Sequence, residues 1–117
     1  MSEKSKQITA LNDALRRACR GPVWPIWGQA VITNGISVLP RPTVEAIIKK
    51  VTDFDDFTED NDPHGEHDFG SFELDGHKVF WKVDYYEARS GLTLGAEHPE
   101  SIATTERVLT NMLADEY

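Results

Sequence analysis

Cysteine is nearly absent from this sequence, which has only Cys19 among its 117 residues. A lone thiol cannot form an internal disulfide bond, and this is typical of proteins from a reducing compartment. We interpret Cys19, on a predicted helix, as a packing residue rather than a nucleophile. Long apolar runs are also missing, since no stretch approaches the roughly 18 residues of a membrane-spanning helix. The polar N-terminus lacks the apolar segment of a signal peptide, so we predict a cytoplasmic protein that does not bind membranes.

Basic residues are scarce, because 12 Lys and Arg stand against 20 Asp and Glu, which gives a net charge of -8. Proteins that bind DNA or RNA directly need Lys and Arg to neutralise phosphates, so the charge balance argues against this class. The excess of negative charge is local: residues 53–68 contain eight acidic residues and neither Lys nor Arg. Such a surface can meet a basic partner, although a solvated acidic loop is the more frequent explanation of such a run.

The sequence also lacks the glycine motifs of nucleotide and nucleophile sites. Neither G-x-x-x-x-G-K-[ST] nor G-x-G-x-x-G occurs, so a phosphate-binding loop is not indicated. There is no G-x-S-x-G elbow, which argues against a serine hydrolase. We therefore predict that the protein uses no cofactor.

The length and the 39% apolar content predict one folded domain over residues 1–117. Residues 4–20 are predicted to form an amphipathic helix that ends at Gly21 and Pro22. A second helix is predicted to begin near Pro42, and a third opens at Pro99. The apolar positions at helical spacing are Ile8, Leu11, Leu15 and Ala18 in the first helix, Val44, Ile47, Ile48 and Val51 in the second, and Ile102, Leu109, Met112, Leu113 and Tyr117 in the third.

Two glycine-containing dipeptides predict β-hairpins. Asn34–Gly35 interrupts the β-rich stretch GQAVITNGISVL, and Asp75–Gly76 interrupts HDFGSFELDGHKVFWKVDYY. Both dipeptides favour the two-residue turn that joins antiparallel strands. With the helices, this gives the element order α-β-β-α-β-β-α. We predict an α+β fold in which an antiparallel sheet of two hairpins carries the helices on one face.

The turn at Asp75–Gly76 fixes the register of the second hairpin, so that cross-strand neighbours can be counted. If the pairing continues to the end of the hairpin, His67 lies opposite Asp84. Side chains alternate between the two faces of a strand. The face predicted to be core contains Phe72, Leu74, Val79, Trp81, Val83 and Tyr85. The opposite, amphipathic face contains His67, Phe69, Glu73, Phe80, Lys82 and Asp84.

A His beside an Asp is the orienting half of many acid–base sites, because the carboxylate orients the ring and favours its charged form. One hypothesis therefore makes His67 a base, Asp84 its orienting residue and Lys82 a charge stabiliser. The same pair is also common as a structural contact. Since no nucleophile motif lies nearby, we assign no catalytic residues.

The stretch DNDPHGEHDF, residues 60–69, concentrates four carboxylates and two histidines. It does not fit a calcium-binding EF-hand loop, because a count from Asp60 places His64 fifth and Ser71 twelfth. A zinc site would draw on Asp62, His64, Glu66 and His67, but HGEH is not the H-E-x-x-H motif. The alternative is a rigid turn without metal, in which Pro63 fixes the backbone and Gly65 permits the bend. We predict no metal.

The segments FTEDNDPHGEHDFGSF, FWKVDYY and TTERVLTNMLADEY resemble those of an uncharacterised bacterial family of domains of unknown function. Its members combine an ND-P-x-GEHDFG segment with a WK-[IV]-DYY strand and a final TxRVLT-x-MLA-x-EY helix. The resemblance extends from about Asn12 to Tyr117, with Ile32–Thr33 where the family often has Leu-Thr. The shared motif positions are Asn61, Asp62, Gly65, Glu66, His67, Asp68, Phe69, Gly70, Trp81, Lys82, Asp84, Tyr85, Arg107 and Tyr117.

The resemblance implies a context rather than an activity, and it supplies no catalytic residues. Members of this family tend to be small stand-alone proteins of plasmids, phages and other mobile elements. That context implies a role in conflict between such elements and their hosts, including counter-defence.

Two hypotheses about function remain open. The first is an acidic interaction protein that inhibits a basic, nucleic-acid-handling host protein, such as a CRISPR or restriction component. Its predicted binding residues are Asp55, Asp56, Glu59, Asp60, Asp62, Glu66 and Asp68. The second is a small hydrolase or nuclease-like enzyme that uses His67, Asp84 and Lys82, with or without a metal. An enzyme requires these three side chains to converge in a pocket, whereas a binding protein requires an open acidic surface.

Overall fold

The computed structural model describes residues 2–18 and 28–117. Within these ranges the chain forms a mixed α/β fold around one four-stranded sheet. The strands are β1 (Gly28–Ile32), β2 (Phe69–Leu74), β3 (His77–Glu87) and β4 (Thr105–Leu113), in the spatial order β1-β4-β3-β2. The helices are α1 (Glu3–Arg17), α2 (Asn34–Ser37) and α3 (Arg41–Thr52), and a 3₁₀ turn follows β4 at Ala114–Glu116.

Helix α1 forms where the apolar spacing predicts it. Ser2 caps its N-terminus by accepting a hydrogen bond from the Ser5 N–H at 3.1 Å. Ile8 and Leu15 are buried as expected, but two polar residues on the same side, Asn12 and Arg16, are also buried. The predicted roles of Cys19 and of the Gly21–Pro22 stop lie outside the described residues.

Helix α3 also forms as predicted, with Pro42 in its first turn and Ile47 and Val51 fully buried. Two ion pairs at i,i+4 spacing lie along its exposed face. Arg41 pairs with Glu45 at 3.3 Å, and Lys49 pairs with Asp53 at 2.7 Å. Because all four groups are exposed, these pairs contribute little to stability.

The hairpin of β2 and β3 has the predicted register from the Asp75–Gly76 turn out to Phe69, which lies opposite Lys82. Asp75 and Gly76 both have positive φ, as the predicted turn requires. The predicted core face is confirmed, since Val79 and Trp81 are fully buried and Val83 is 5% exposed. Pairing stops at Phe69, two residues short of His67.

The predicted hairpin at Asn34–Gly35 is wrong. Strand β1 pairs in parallel with β4, and the residues after it turn into α2 rather than into a second strand. Gly35 lies instead against a carboxylate: its N–H donates to Glu116 Oε2 at 2.9 Å, and a Cβ at this position would lie 2.5 Å from Glu116 Oε1. The glycine thus allows close approach of a carboxylate, and the sheet is mixed rather than wholly antiparallel.

The predicted helix after Pro99 is also wrong, because residues 105–113 form β4, an interior strand between β1 and β3. Its buried face alternates along the strand and includes the polar residues Thr105, Arg107 and Asn111. These polar side chains conceal the alternation that identifies a half-buried strand. Two residues expected on the buried face of a helix, Ile102 and Tyr117, are exposed.

The helices cover one face of the sheet, as predicted. Leu15 of α1 and Val51 of α3 pack with Trp81, Val83 and Leu109, and the helical residues Ile36 and Ile47 pack with Val79. The opposite face carries the aromatic cluster Phe69, Phe80 and Tyr117, whose ring centroids lie 5.3–6.3 Å apart. No helix in residues 2–18 or 28–117 combines the length and apolar character needed to span a bilayer.

Candidate functional site

The predicted contact between His67 and Asp84 does not form. The β2 pairing ends at Phe69, and the backbone of His67 turns away with a φ of 54°. Asp84 lies on the uncovered sheet face, where its carboxylate is 3.0 Å from Lys82 Nζ. That hydrogen bond raises the pKa of Lys82. The three side chains of the enzyme hypothesis are therefore not gathered into one acid–base site.

His67 instead contacts two other carboxylates. Its Nδ1 is 2.9 Å from Asp13 Oδ1 on α1, and its Nε2 is 3.7 Å from Asp62 Oδ2. The imidazole also stacks on the Phe57 ring, with centroids 3.7 Å apart and planes only 3° from parallel. Through these contacts, His67 connects helix α1 to the segment that precedes β2.

Asp13 also holds the buried guanidinium of Arg16. The two side chains meet at 2.8 Å, and the Arg16 side chain is 2% exposed. Arg16 Nη1 donates to the carbonyl oxygens of Val51 at 3.1 Å and of Phe54 at 2.6 Å, where α3 ends. A buried charge requires such partners, because an unpaired one is costly. Arg16 thus ties α1 to the C-terminus of α3.

A second polar network surrounds Asn12, which is fully buried. Its Nδ2 donates to the Glu66 carbonyl at 3.0 Å and to Tyr85 Oη at 2.8 Å, while its Oδ1 accepts from Arg107 Nε at 2.8 Å. The Tyr85 hydroxyl in turn donates to Glu66 Oε1 at 3.1 Å. Burial raises the pKa of Tyr85 and lowers that of Arg107. Both groups act here as buried hydrogen-bonding partners.

Residues 62–67 of the stretch DNDPHGEHDF form a hydrogen-bonded turn. The Asp62 carboxylate accepts the N–H groups of Glu66 at 2.9 Å and His67 at 3.0 Å, and Gly65 has a φ of 65°. The Thr9 hydroxyl on α1 donates to the Gly65 carbonyl. We name residues 62–68 the clasp, because they hold α1 against the sheet: they accept hydrogen bonds from Thr9 and Asn12, and His67 contacts Asp13.

The residues of the alternative zinc site point in different directions. Asp62 and His67 meet at 3.7 Å, whereas Glu66 bonds Tyr85 and His64 is exposed. Across residues 2–18 and 28–117, no three His, Cys, Asp or Glu side chains are placed to hold a metal ion together. The zinc alternative is therefore not supported by the geometry.

The predicted acidic binding residues divide into two groups. Asp55, Asp56, Glu59 and Asp60 are exposed to solvent, on what we name the acidic loop, residues 53–60. Asp62, Glu66 and Asp68 belong to the clasp and are only partly exposed. Burial raises the pKa of Asp68, and the neighbouring Glu66 raises it further. The exposed group is thus the one accessible to another macromolecule.

The acidic loop is held in place by its apolar residues. The Phe54 and Phe57 rings contact the Trp81 ring edge-on, with centroids 5.5 and 6.1 Å away. Asn61 closes the loop, since its Oδ1 accepts from the Thr58 N–H at 2.8 Å and its Nδ2 donates to the Asp56 carbonyl at 2.9 Å. The carboxylates therefore project from a backbone that is fixed to the core.

Sequence reasoning missed the α1 side of the clasp. Asn12 and Arg16 lie on the same side of the helix as Ile8 and Leu15, so their spacing in the sequence indicates that they are buried. The sequence pattern predicts a helix at Arg107 and does not indicate that this residue is buried on a strand. Its partners come from distant parts of the chain, and no local pattern indicates them.

The fold and the site define a small α/β domain whose sheet is covered by helices on one face and clasped to its first helix by polar side chains. The chain belongs to the family of proteins of unknown function DUF3768, whose family model matches residues 32–116. No curated protein and no solved structure matches the chain.

Proposed function

We propose that this chain is a small acidic interaction protein that binds a basic surface of another protein through its acidic loop. The observation that carries this proposal is the exposure of four carboxylates on a loop fixed to the core. These residues are Asp55, Asp56, Glu59 and Asp60.

The loop suits electrostatic recognition for two reasons. It contains no Lys or Arg, and the neighbouring Lys49 pairs with Asp53, so the other four carboxylates give the loop a net negative charge that can steer a basic partner during association. Its backbone is also anchored by Phe54 and Phe57, so little conformational freedom is left to lose on binding. Binding of this kind weakens as the salt concentration rises, because exposed charges are screened.

We further propose that the partner is a nucleic-acid-handling host protein, of the kind found in CRISPR or restriction systems. A basic groove that holds nucleic acid is complementary to a compact acidic surface, which would inhibit the partner by occupying that groove. This part of the proposal rests on the resemblance to bacterial proteins of phages, plasmids and other mobile elements, in which a counter-defence inhibitor would be expected.

The hydrolase alternative has less support. His67 is occupied by Asp13 and Asp62 in the clasp, and Lys82 and Asp84 pair with each other on the opposite sheet face. General acid–base catalysis requires the participating groups to lie within reach of one substrate.

The test is affinity capture from a host lysate at low salt, read by quantitative mass spectrometry. The triple variant Asp55→Lys, Asp56→Lys, Glu59→Lys should lose the basic protein that the native chain captures. Its control, Glu3→Lys, Glu97→Lys, Asp115→Lys, changes the net charge equally at exposed positions outside the loop. Equal capture by both variants, or capture of no basic protein by the native chain, would overturn the proposal.

A further inference from the structure

Strand β2 lies at the edge of the sheet, with β3 as its only neighbour among the described residues. Backbone groups along an antiparallel pair alternate between the partner strand and the outside. The Val83 N–H donates to the Asp68 carbonyl at 2.9 Å, which sets the phase of this alternation. The backbone groups of Phe69, Ser71 and Glu73 therefore point away from β3, and within residues 2–18 and 28–117 no other backbone group pairs with them.

The outer edge of β2 borders a groove of about 630 Å³. Ser71, Phe72 and Leu74 form the strand side of the groove, and Ala46 and Lys50 of α3 lie across from them. The Lys50 ammonium lies 5.5 Å from the centre of the Phe72 ring. The groove thus offers apolar surface beside unpaired backbone groups, which is the combination that binds an added strand.

The two ends of this groove differ in charge. Helix α3 runs along β2 in the opposite direction, because Thr43 contacts Asp75 at the turn end and Phe54 lies beside Gly70 at the other. The exposed carboxylates of Asp55 and Asp56 line the groove near the Gly70 end. Two lysines also line the groove, but Lys49 pairs with Asp53 at 2.7 Å and the Lys50 ammonium lies over the Phe72 ring. The negative charge at the Gly70 end therefore comes from Asp55 and Asp56, and an occupant that fits this groove carries positive charge at that end and apolar side chains along the rest.

We propose that β2 is a docking edge for an extended peptide segment of the partner, which adds to the sheet as a further strand. The segment carries Lys or Arg at the end beside Asp55 and Asp56, and apolar residues at alternate positions over Phe72 and Leu74. This inference rests on the proposed function, since it specifies how the acidic loop engages a basic partner. Edge strands are usually protected from further pairing by charged side chains (especially Lys), Pro or a bulge. Strand β2, with the sequence FGSFEL, contains neither Lys nor Pro and pairs with β3 without a bulge, and its one charged side chain is Glu73.

The test begins with a phage-displayed library of random 12-residue peptides selected on the native chain. The selected peptides should carry Lys or Arg at one end and alternate apolar residues along the rest. The best binder is then synthesised, and its dissociation constant is measured by fluorescence anisotropy. A second form of this peptide is N-methylated at alternate backbone nitrogens, and a third is N-methylated at the other set.

Strand addition requires that only one of the two N-methylated peptides loses binding, since only alternate N–H groups face β2. On the protein side, Ser71→Pro removes an outward N–H and should weaken binding about tenfold. Ser71→Val keeps that N–H and is the matched control. If Ser71→Pro impairs folding, the two N-methylated peptides still decide the question on the native chain.

The outcomes separate this inference from the proposed function. Failure to select any peptide, or equal binding of the two N-methylated forms, would overturn the docking edge. If N-methylation leaves binding unchanged but the variant Asp55→Lys, Asp56→Lys loses it, the acidic loop is the binding surface and the docking edge is wrong. If only one N-methylated form loses binding while the charge-reversed variant still binds the peptide normally, the docking edge is supported and the proposed role of the acidic loop is wrong.

Discussion

His67 Nδ1 lies 2.9 Å from the carboxylate of Asp13, a residue 54 positions earlier in the chain. The same carboxylate oxygen accepts a hydrogen bond from Arg16 at 2.8 Å. One side chain of α1 therefore holds both the clasp and, through Arg16, the end of α3. The stability of this part of the fold depends on buried polar contacts as well as on apolar packing.

Replacement of Asp13 by Ala should destabilise the protein by about 3 kcal/mol, because it leaves the buried Arg16 guanidinium without its charged partner. The measurement is the free energy of unfolding from urea denaturation. Arg17→Ala is the control, since Arg17 is 69% exposed and only 4.0 Å from the same carboxylate. A loss for Asp13→Ala no larger than that of the control would show that the buried network contributes little.

Trp81→Ala should cost about 3–5 kcal/mol, the usual range for truncation of a buried aromatic side chain. Trp81 is fully buried against Phe54, Phe57 and the Arg16 guanidinium. The neighbouring Phe80 faces the uncovered side of the sheet and is half-buried, so Phe80→Ala should cost less. Urea denaturation of both variants checks the order, and an unchanged midpoint for Trp81→Ala would contradict it.

Gly70→Ala should destabilise the fold by about 1–3 kcal/mol through overpacking. A Cβ at Gly70 would lie 2.4 Å from Trp81 Nε1 and 2.8 Å from Phe54 Cζ, neither of which can move freely in the core. Gly95→Ala is the matched control, because a Cβ there meets no described atom within 4 Å. Thermal unfolding of the two variants should separate them, and equal midpoints would show that the Trp81 ring yields easily.

Asp68 should make the protein less stable as the pH rises above the ordinary carboxyl value of 3.8, because burial and then Glu66 raise its pKa in the folded state. The folded state then holds the proton more tightly than the unfolded state does. The stabilising contribution is present below the unfolded pKa and is lost as the pH rises through the folded pKa.

The variant Asp68→Asn removes this charge, so it should be more stable than the native protein at pH 7, with the difference shrinking towards pH 4. Unfolding free energies measured across that range test the sign. Asp60→Asn, on the exposed acidic loop, is the matched control. A native-like pH dependence in Asp68→Asn would show that Asp68 is not penalised by burial.

The hairpin of β2 and β3 was predictable because its information is local. A two-residue turn sets the register, and the pairs from Leu74–His77 to Phe69–Lys82 follow by counting. The predicted register is wrong beyond Phe69, and the cause is again a contact between residues that are close in the sequence. Counting cannot reveal that Asp62 captures the N–H groups of Glu66 and His67 and bends the backbone out of the strand.

Strand β4 could not be recognised from its own residues. Its inward positions include Arg107 and Asn111, which a pattern of alternating apolar residues excludes. They are tolerated because the protein supplies partners: Asn12 accepts from Arg107, and the Asn111 side chain donates to the Val31 carbonyl at 3.3 Å. The candidate site could be predicted only in part. The turn in the clasp follows from residues close together in the sequence, whereas its partners Asn12 and Asp13 on α1 lie 54 positions away and no local pattern indicates them.

The position of β4 between β1 and β3 has a consequence for the order in which the protein can acquire its structure. On the ribosome, β1 and α1 emerge early, but the strand that joins β1 to the rest of the sheet is completed only at Leu113. Until then, β1 lacks its only partner strand among residues 2–18 and 28–117, and both edges of the hairpin of β2 and β3 are open. The sheet can therefore close only after β4 has been synthesised, which exposes the nascent protein to misassembly for longer than a fold made of sequential hairpins would.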